Sequence, residues 1–376
     1  MLTILTLKIL LMIVYLSHWD WNLYKSRKDI VSSIGGENFI AICPEGDFSD
    51  SLKNVYSKTL NWDLNRKILF DIKGITNLKH IISKMDRNTI IHSFTLKTGI
   101  LFSMANLFLN NNLYGVLSIN GLGYLFSNNL KAVILRILLK PFISKLFSKS
   151  FKKIIFQNSS DKARFLNFVS FKGDVSLIKG SGINTKNFKI KENYLSKKLK
   201  VVFLSRLIKD KGIYEYIELV NNCSNKSIEF FLAGEVDKGN PNSIDESELN
   251  NIKNKSNLKY IGLIDVENEL HNYDISIVMS KYEGFSRILL ESLYVGLFCI
   301  SNDIPGTSYL NEFSNGCLVK DNNINKFSEI INNFSDYDFS KLNAKENRML
   351  IENTISTQII SKKYNEIYDN LKSIKQ

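Results

Sequence analysis

The amino-acid sequence predicts an α/β protein with two domains, each built on a parallel β-sheet covered by helices. Its 376 residues exceed what one ordinary compact core accommodates, so the length suits two domains. The hydrophobic content of 44% is that of a globular chain. Apolar, β-branched runs alternate with segments of helical periodicity, and this alternation is typical of parallel sheets whose strands are connected by helices.

The predicted strands are short apolar runs spread along the whole chain. They cover 8–16, 38–43, 67–71, 89–92, 114–119, 153–157, 175–178, 200–205, 228–233, 258–261, 274–279 and 298–301. Helical periodicity is clear between them, as in 23–34, 97–110 and 213–222. The first run could also be a signal peptide or an anchor. It is shorter than the ~20 residues of a spanning helix, and no small-residue cleavage site follows it, so we favour a buried strand, with residues 1–7 as an extension.

The domain boundary is predicted in 185–199, a polar and charged segment with no core pattern. We therefore assign 1–188 to an N-terminal domain and 189–355 to a C-terminal domain. Residues 356–376 are predicted to form a helix that packs back on the N-terminal domain.

Two glutamates, Glu283 and Glu291, stand at the start of an apolar helix that ends near Gly296. The strand-like run 274–279 precedes them, and Gly284 permits a tight turn and a close backbone approach to a ligand. A helix N-terminus presents free N–H groups that suit a phosphate. We predict that Glu283 lies in the loop and Glu291 on the helix, where they contact different parts of one ligand. By spacing alone, such a pair is more often two surface glutamates.

A second cluster opens the C-terminal domain, where the strand-like run 201–205 is followed by Arg206 and Lys211. Open α/β sheets bind ligands at the carboxyl ends of their strands. Arginine offers a planar fork to phosphate, and lysine offers a point charge. The alternative is a solvated basic loop, which we expect for Lys209. Gly234, after the next strand, either admits a ligand closely or makes a simple tight turn.

Residues 258–319 resemble the donor-binding region of family 4 retaining glycosyltransferases. The matching features, in order, are Tyr260-Ile-Gly262, Tyr273-Asp274, Tyr282-Glu-Gly-Phe285, Leu289-Leu-Glu291 and Pro305-Gly306. The resemblance implies the GT-B architecture, in which two Rossmann-like domains face each other across a cleft. Ser286 and Ser292 stand where the family usually has proline and alanine, and neither change removes a functional group.

The resemblance also implies roles for individual residues. Arg206 and Lys211 neutralise the donor diphosphate and Glu283 binds the donor sugar, which makes these three the catalytic set. Glu291 binds the ribose of the nucleotide. Further donor contacts are implied for Gly234, Ile264, Gly284, Phe285 and Leu289.

Motifs in the N-terminal half are similar to those of one bacterial subgroup, which extends undecaprenyl-diphosphate-linked oligosaccharides with N-acetylgalactosamine or a related sugar. They are Ser17-His18, Tyr24, Arg27, Ile91-His92-Ser93, Gly121-Leu-Gly-Tyr124, Phe156-Gln-Asn158 and Lys179-Gly-Ser-Gly-Ile-Asn184. The residues implied to face the acceptor or the sugar are His18, Tyr24, Arg27, His92 and Asn120. Purely structural roles for His18 and His92 stay open.

The chain departs from this subgroup at two places. Trp19-Asp20-Trp21 replaces small, glycine-containing residues, which puts the backbone contact to the donor phosphate in doubt. Asn120 stands where many relatives carry a histidine.

The net charge of +12 is unevenly distributed, because no acidic residue occurs from Arg87 to Ser160. After Pro141, helical spacing places four lysines on one arc. We predict that Lys145, Lys149, Lys152 and Lys153, with Phe147 and Phe151, form a face that lies on the anionic inner leaflet of the plasma membrane. The alternative is an ordinary domain helix with its lysines in water. The chain has no recognisable nucleic-acid-binding motif.

Neither a metal nor another cofactor is expected. The Asp336-Tyr-Asp338 sequence lies in a polar stretch far from the strand-end motifs, so we interpret it as a turn. The cysteines Cys43, Cys223, Cys299 and Cys317 are widely spaced, which favours a reducing, cytoplasmic compartment over disulfides or zinc.

The resulting hypothesis is a metal-independent retaining glycosyltransferase. It would move a sugar from a UDP-sugar to a lipid-linked acceptor in bacterial surface polysaccharide or glycan synthesis. The alternatives are a catalytically inactive protein of the same fold that binds or regulates, and a nucleotide-sugar epimerase or phosphorylase.

Overall fold

The structure is a computed structural model that describes residues 12–109, 113–127, 129–192, 198–254, 257–334 and 343–373. Its described strands form two sheets in which every pairing is parallel. One has seven strands in the order β3-β2-β1-β4-β5-β6-β7, and the other has six in the order β10-β9-β8-β11-β12-β13. The predicted α/β architecture with two Rossmann-like domains is confirmed.

The N-terminal sheet is covered by helices on both faces. Its strands are β1 (Ile13–Ser17), β2 (Phe39–Cys43), β3 (Lys58–Asn61), β4 (Ile90–Phe94), β5 (Tyr114–Ile119), β6 (Phe151–Phe156) and β7 (Asp174–Leu177). The helices are α1 (Asp20–Ile34), α2 (Ser49–Leu52), α3 (Ile72–Ser83), α4 (Leu96–Leu107), α5 (Leu130–Ser150) and α6 (Ser159–Phe168).

The C-terminal sheet is built in the same way. Its strands are β8 (Leu199–Leu204), β9 (Ile228–Ala233), β10 (Leu258–Gly262), β11 (Ile275–Val278), β12 (Phe298–Asn302) and β13 (Gly316–Val319). The helices are α7 (Ile213–Asn222), α8 (Glu246–Lys253), α9 (Val266–Glu269), α10 (Arg287–Val295), α11 (Ile324–Asn332) and α12 (Ala344–Thr354), and a last helix, α13 (Thr357–Ser373), follows them.

In both sheets the strand order reverses at one point, between β1 and β4 and between β8 and β11. The loops that leave these strands diverge to opposite faces of the sheet and open a crevice, which is where ligands bind in open α/β sheets. The elements that flank these crevices carry His18, Arg206, Lys211 and Glu283.

The first strand lies at the centre of its sheet. Ile13 to Leu16 are at most 3% exposed and pair with β2 on one side and β4 on the other. A strand in the first apolar run is therefore confirmed, although its earlier part lies outside the described residues. Among the described residues, no helix combines the length and the apolar character needed to cross a bilayer.

The last helix, α13, packs on α1 in the N-terminal domain. Its Tyr364 and Tyr368 are buried in the same core cluster as Tyr15 of β1, and the Tyr368 hydroxyl donates to the Tyr15 hydroxyl at 2.9 Å.

One predicted strand is wrong and two strands were missed. Residues 67–71 form no strand; Ile68 and Leu69 are 47% and 38% exposed in the connection that leads to α3. The edge of the sheet is instead β3, which pairs with β2 alone and whose sequence is mostly polar. The other missed strand, β13, pairs with β12 alone and begins with a glycine. Edge strands are buried less and carry a weaker apolar pattern.

The predicted membrane face also requires correction. Helix α5 ends at Ser150, so Lys152 and Lys153 lie on β6 and not on the helix. Phe147 and Phe151 are 0% and 1% exposed, and their rings pack against each other at 5.3 Å in the N-terminal core. These two rings are therefore core residues and cannot contact a membrane.

Candidate functional site

Two loops of the C-terminal domain bring a lysine and a glutamate into direct contact. Lys211 lies in a short 3₁₀ turn before α7, and Glu283 lies in the loop between β11 and α10. The Lys211 Nζ is 2.5 Å from the Glu283 Oε1, and the Ser280 hydroxyl donates to the same oxygen at 2.8 Å. Both charged side chains remain partly exposed, at 19% and 14%. The pair therefore lies at the edge of the cleft, where a ligand can reach it.

Arg206 is held by an aspartate that it shares with the N-terminal domain. The Arg206 Nη1 donates to the Asp237 Oδ2 at 2.8 Å, while the Arg66 Nη2 donates to the Asp237 Oδ1 at 3.2 Å. Both guanidinium groups also lie against the ring of Trp19, at 4.4 Å for Arg66 and 5.1 Å for Arg206. Two arginines from two domains thus share one carboxylate and one indole ring.

This cluster explains the unusual first loop. Where the subgroup has small residues, Trp19 supplies an aromatic surface for the arginines and stacks on Trp21 at 4.9 Å. Asp20 is buried and accepts from the backbone N–H groups of Trp21 and Phe48, so it orders the loop. Neither Arg66 nor Asp237 was predicted, because no local motif marks them.

Glu291 occupies the second turn of α10, while Glu283 lies in the preceding loop, which confirms their predicted placement. The Glu291 side chain is 9% exposed, and its Oε1 accepts from the Arg287 Nε at 2.6 Å. Arg287 also donates to the carbonyl of Lys25 on α1, so it joins the two domains. Burial raises the pKa of Glu291, and the charge of Arg287 opposes that rise.

The turn between Glu283 and α10 packs closely against the backbone of neighbouring segments. A Cβ on Gly284 would lie 2.0 Å from the carbonyl oxygen of Asn120, and one on Gly306 would lie 2.2 Å from that of Glu283. Asn158 donates to the Gly284 carbonyl at 2.8 Å. Gly284 is required because the two domains meet at this turn, whereas Gly306 allows close packing within the C-terminal domain. Ser286, the residue before α10, makes no side-chain cap, so the helix N-terminus keeps N–H groups that suit an anion.

The other residues expected to bind the donor fall into three groups. Phe285 stacks on Tyr309 at 4.3 Å and is partly exposed, as is Ile264. Gly234 has a φ of +130°, and a Cβ there would lie 1.8 Å from the Ser205 carbonyl oxygen, so strand-end packing accounts for this glycine. Leu289 is 0% exposed; its assignment as a donor contact is wrong because it packs in the C-terminal core.

His18 lies beside the cation cluster. Its Nδ1 is 3.2 Å from the Thr98 hydroxyl and 3.3 Å from that of Thr95. Burial, together with the charges of nearby Arg66, Lys97 and Arg206, lowers the pKa of His18 to about 3. Its imidazole is therefore neutral at physiological pH. Tyr24, on α1, is partly buried and stacks on Phe48 at 5.2 Å.

Two residues expected to face the acceptor are buried instead. His92 is 0% exposed and is hydrogen-bonded to the hydroxyls of Tyr368 at 2.6 Å and Ser118 at 2.8 Å. Arg27 is 1% exposed and donates to the Asn120 Oδ1 at 3.1 Å. Both are core residues, so their assignment to the cleft is wrong. Asn120 itself is partly exposed and lies against Gly284, at the junction of the domains.

The C-terminal domain is similar to a known protein family. Residues 184–357 match the family described as Glycosyl transferases group 1. The match covers a little under half of the chain, and we call the matched region the group 1 domain. Arg206, Lys211, Glu283 and Glu291 all fall inside the matched range, so the group 1 domain contains the whole predicted donor site.

Two curated proteins are similar to this chain over most of its length, including the group 1 domain. One is the N,N'-diacetylbacillosaminyl-diphospho-undecaprenol alpha-1,3-N-acetylgalactosaminyltransferase of Campylobacter jejuni, 24% identical over 95% of this chain and 98% of that protein. The other is the capsular polysaccharide biosynthesis glycosyltransferase CapM of Staphylococcus aureus, 23% identical over 80% of this chain and 81% of that protein.

Solved structures share the fold of both domains. HepE of Anabaena, in complex with UDP and glucose, aligns with a TM-score of 0.75 at 14% identity, over 96% of this chain and 99% of that chain. Sucrose-phosphate synthase of Thermosynechococcus elongatus aligns with a TM-score of 0.76 at 15% identity, over 96% and 100%. The group 1 domain is therefore one half of a GT-B fold.

Proposed function

We propose that this protein is a retaining glycosyltransferase that moves a sugar from a UDP-sugar to a lipid-linked oligosaccharide, as part of bacterial surface glycan synthesis. The observation that carries the proposal is the cluster of Arg206, Lys211 and Glu283 at the strand ends of the group 1 domain. Arg206 and Lys211 are each paired with a carboxylate, which a diphosphate can replace. HepE, which shares the fold, was solved with UDP and glucose, and this supports UDP as the nucleotide.

The acceptor and the sugar are proposed from the curated relative. Its name specifies an undecaprenol-diphosphate acceptor and N-acetylgalactosamine, and its likeness covers both domains. With Arg206, Lys211 and the α10 N-terminus available, the diphosphate needs no metal ion, and we expect transfer to persist in a chelator.

The experiment that tests the function is release of nucleoside diphosphate from a panel of sugar nucleotides, with and without a lipid-linked saccharide. A glycosyltransferase releases UDP from one sugar nucleotide and does so faster when the acceptor is present. No release with any donor would favour a catalytically inactive binding protein. Conversion of one sugar nucleotide into another without an acceptor would identify an epimerase.

We propose another part of α5 as the membrane contact. Five large apolar side chains on this helix are 45–73% exposed; they are Leu130, Ile134, Ile137, Leu138 and Phe142. At 100° per residue they share one side of the helix with Lys131, Lys145 and Lys149. We propose that this side lies on an anionic inner leaflet, because exposed apolar residues with flanking lysines suit an interfacial helix.

Replacing Ile137 and Leu138 together with glutamate should abolish sedimentation with anionic vesicles. Both side chains lose apolar burial in the interface, and the added charges repel the lipid headgroups. Met349→Glu is the matched control, since Met349 is 52% exposed on α12 in the other domain, and it should sediment like the wild type. If the double variant still binds the vesicles, the contact is not on this side of α5.

A further inference from the structure

A basic cavity opens between α5 and α6, beside the proposed membrane contact. Its volume is about 320 Å³, and it is lined by Phe126, Arg136, Lys140, Arg164, Asn167 and Phe168. Among the described residues, three cations and no carboxylate line it, and this size suits a small ligand group. In sequence α5 contains no acidic residue and α6 contains one, Asp161, which accepts from the Asn158 side chain at 3.0 Å.

The two arginines are fixed by the backbone at the cavity wall. The Arg136 Nη1 donates to the carbonyls of Leu125 at 3.3 Å and Ser127 at 3.4 Å, and its guanidinium lies 5.5 Å from the ring centre of Phe126. The Arg164 Nη2 donates to the Phe126 carbonyl at 2.7 Å. Each guanidinium has five N–H donors, so both keep donors beyond these bonds. Pre-positioned forks of this kind suit a phosphate.

The cavity is next to the proposed membrane contact, and a short chain segment connects it to the cleft. Lys140 follows Ile137 by three positions on α5, so the two are neighbours on the helix surface. At the other end, Phe126 is five residues from Gly121, which limits their separation to about 18 Å. A Cβ on Gly121 would lie 3.1 Å from the Gly284 nitrogen, next to Glu283. An anion in the cavity is thus next to the proposed lipid surface, and Phe126 in the cavity lining is at most about 18 Å from Gly121 at the cleft.

We propose that this cavity binds the phosphate or diphosphate group of a membrane lipid. Arg136 and Arg164 bind its oxygens through their planar forks, Lys140 adds a third charge, and Phe168, which is partly exposed, contacts the adjoining apolar chain. Two sources supply this chemistry: the diphosphate of the lipid-linked acceptor, or the headgroup of an anionic phospholipid. The inference deepens the proposed function, and it rests on that function only for the choice between these sources.

The first test uses inorganic pyrophosphate as the probe and the full chain with UDP in excess, so that the donor site is occupied. Lys140→Glu should weaken pyrophosphate binding about tenfold or more, because one charge-assisted contact becomes a repulsion. Lys162→Glu is the matched control, a reversal on α6 at a residue outside the cavity lining, and it should leave the affinity unchanged. Equal affinities for the two variants, or an absence of pyrophosphate binding by the wild type, would overturn the proposal. This readout is independent of transfer activity.

The second test separates the two sources. If the anion is the acceptor's diphosphate, Lys140→Glu raises the KM for the lipid-linked acceptor about tenfold and leaves the KM for the sugar nucleotide unchanged. If it is a phospholipid headgroup, the variant loses the preference for phosphatidylcholine vesicles that contain phosphatidylglycerol over phosphatidylcholine alone, with both KM values unchanged. A variant that is unaltered in both measurements would contradict a lipid ligand.

Discussion

Alanine at Arg206 or at Lys211 should lower sugar transfer about 10²- to 10³-fold while the protein still folds. A preorganised charge that contacts the departing diphosphate in the transition state is worth about 2.7–4 kcal/mol. In the structure both cations contact carboxylates at the cleft edge and neither is fully buried, so their removal should cost little stability. Initial transfer rates, measured beside thermal unfolding of each variant, check the prediction.

Lys209→Ala provides the control for this pair. Lys209 lies in the same loop, is 49% exposed, and pairs at 3.9 Å with Glu248, so its loss should leave transfer near the wild-type rate. Arg206→Lys should fall between, because lysine retains the charge and loses the fork. Near wild-type transfer by both alanine variants would show that the diphosphate binds elsewhere.

The strands that the sequence predicted best are the ones buried on both faces. β11 and β12 are buried at every position, so each appears in the sequence as a largely apolar run. β3 has one sheet neighbour and a mostly polar sequence, and the more apolar run 67–71 was predicted as a strand in its place. Residues 67–71 instead belong to the connection between β3 and α3. Some polar groups of this connection are hydrogen-bonded within it; for example, the Asn65 N–H donates to the Asp71 carboxylate.

The donor site could be predicted because its residues are close in sequence to strand ends. Arg206, Lys211 and Glu283 each fall within a few residues of β8 or β11, and one sheet edge therefore brings them together. Arg66 and Asp237 are 171 residues apart, and their contact depends on how the two domains pack. The sequence around Arg66 or around Asp237 contains no pattern that predicts this packing.

The roles predicted for buried polar residues are wrong for a related reason. A histidine at a strand end resembles a catalytic group, but the partner of His92 is Tyr368, 276 residues further along. The return of α13 to the N-terminal domain encloses His92 in a hydrogen-bonded, aromatic core. The single lysine face predicted from the spacing in 145–153 is wrong for another reason. Helical periodicity alone does not show that α5 ends at Ser150.

Substitutions at the two glutamates should separate nucleotide binding from transfer. Glu291→Gln should weaken UDP binding about tenfold or more, because a carboxylate accepts two hydroxyl hydrogen bonds and charged acceptors contribute about 1.5–3 kcal/mol each. Glutamine keeps the shape beside Arg287, so the buried site should stay packed. Glu283→Gln should leave UDP binding nearly unchanged and lower transfer about 10²-fold, since we assign Glu283 to the sugar and to Lys211.

Calorimetry with UDP and initial rates with the sugar nucleotide measure these two effects on the same samples. Glu329→Gln serves as the control, because Glu329 is 56% exposed on α11 and pairs only with Lys326 three residues away among the described residues. The assignment predicts different effects for the two variants. Glu291→Gln raises both the Kd for UDP and the KM for the donor, whereas Glu283→Gln lowers kcat. If Glu283→Gln is the variant that loses UDP, the two carboxylates have the opposite roles, and the sugar lies on the α10 side of the cleft.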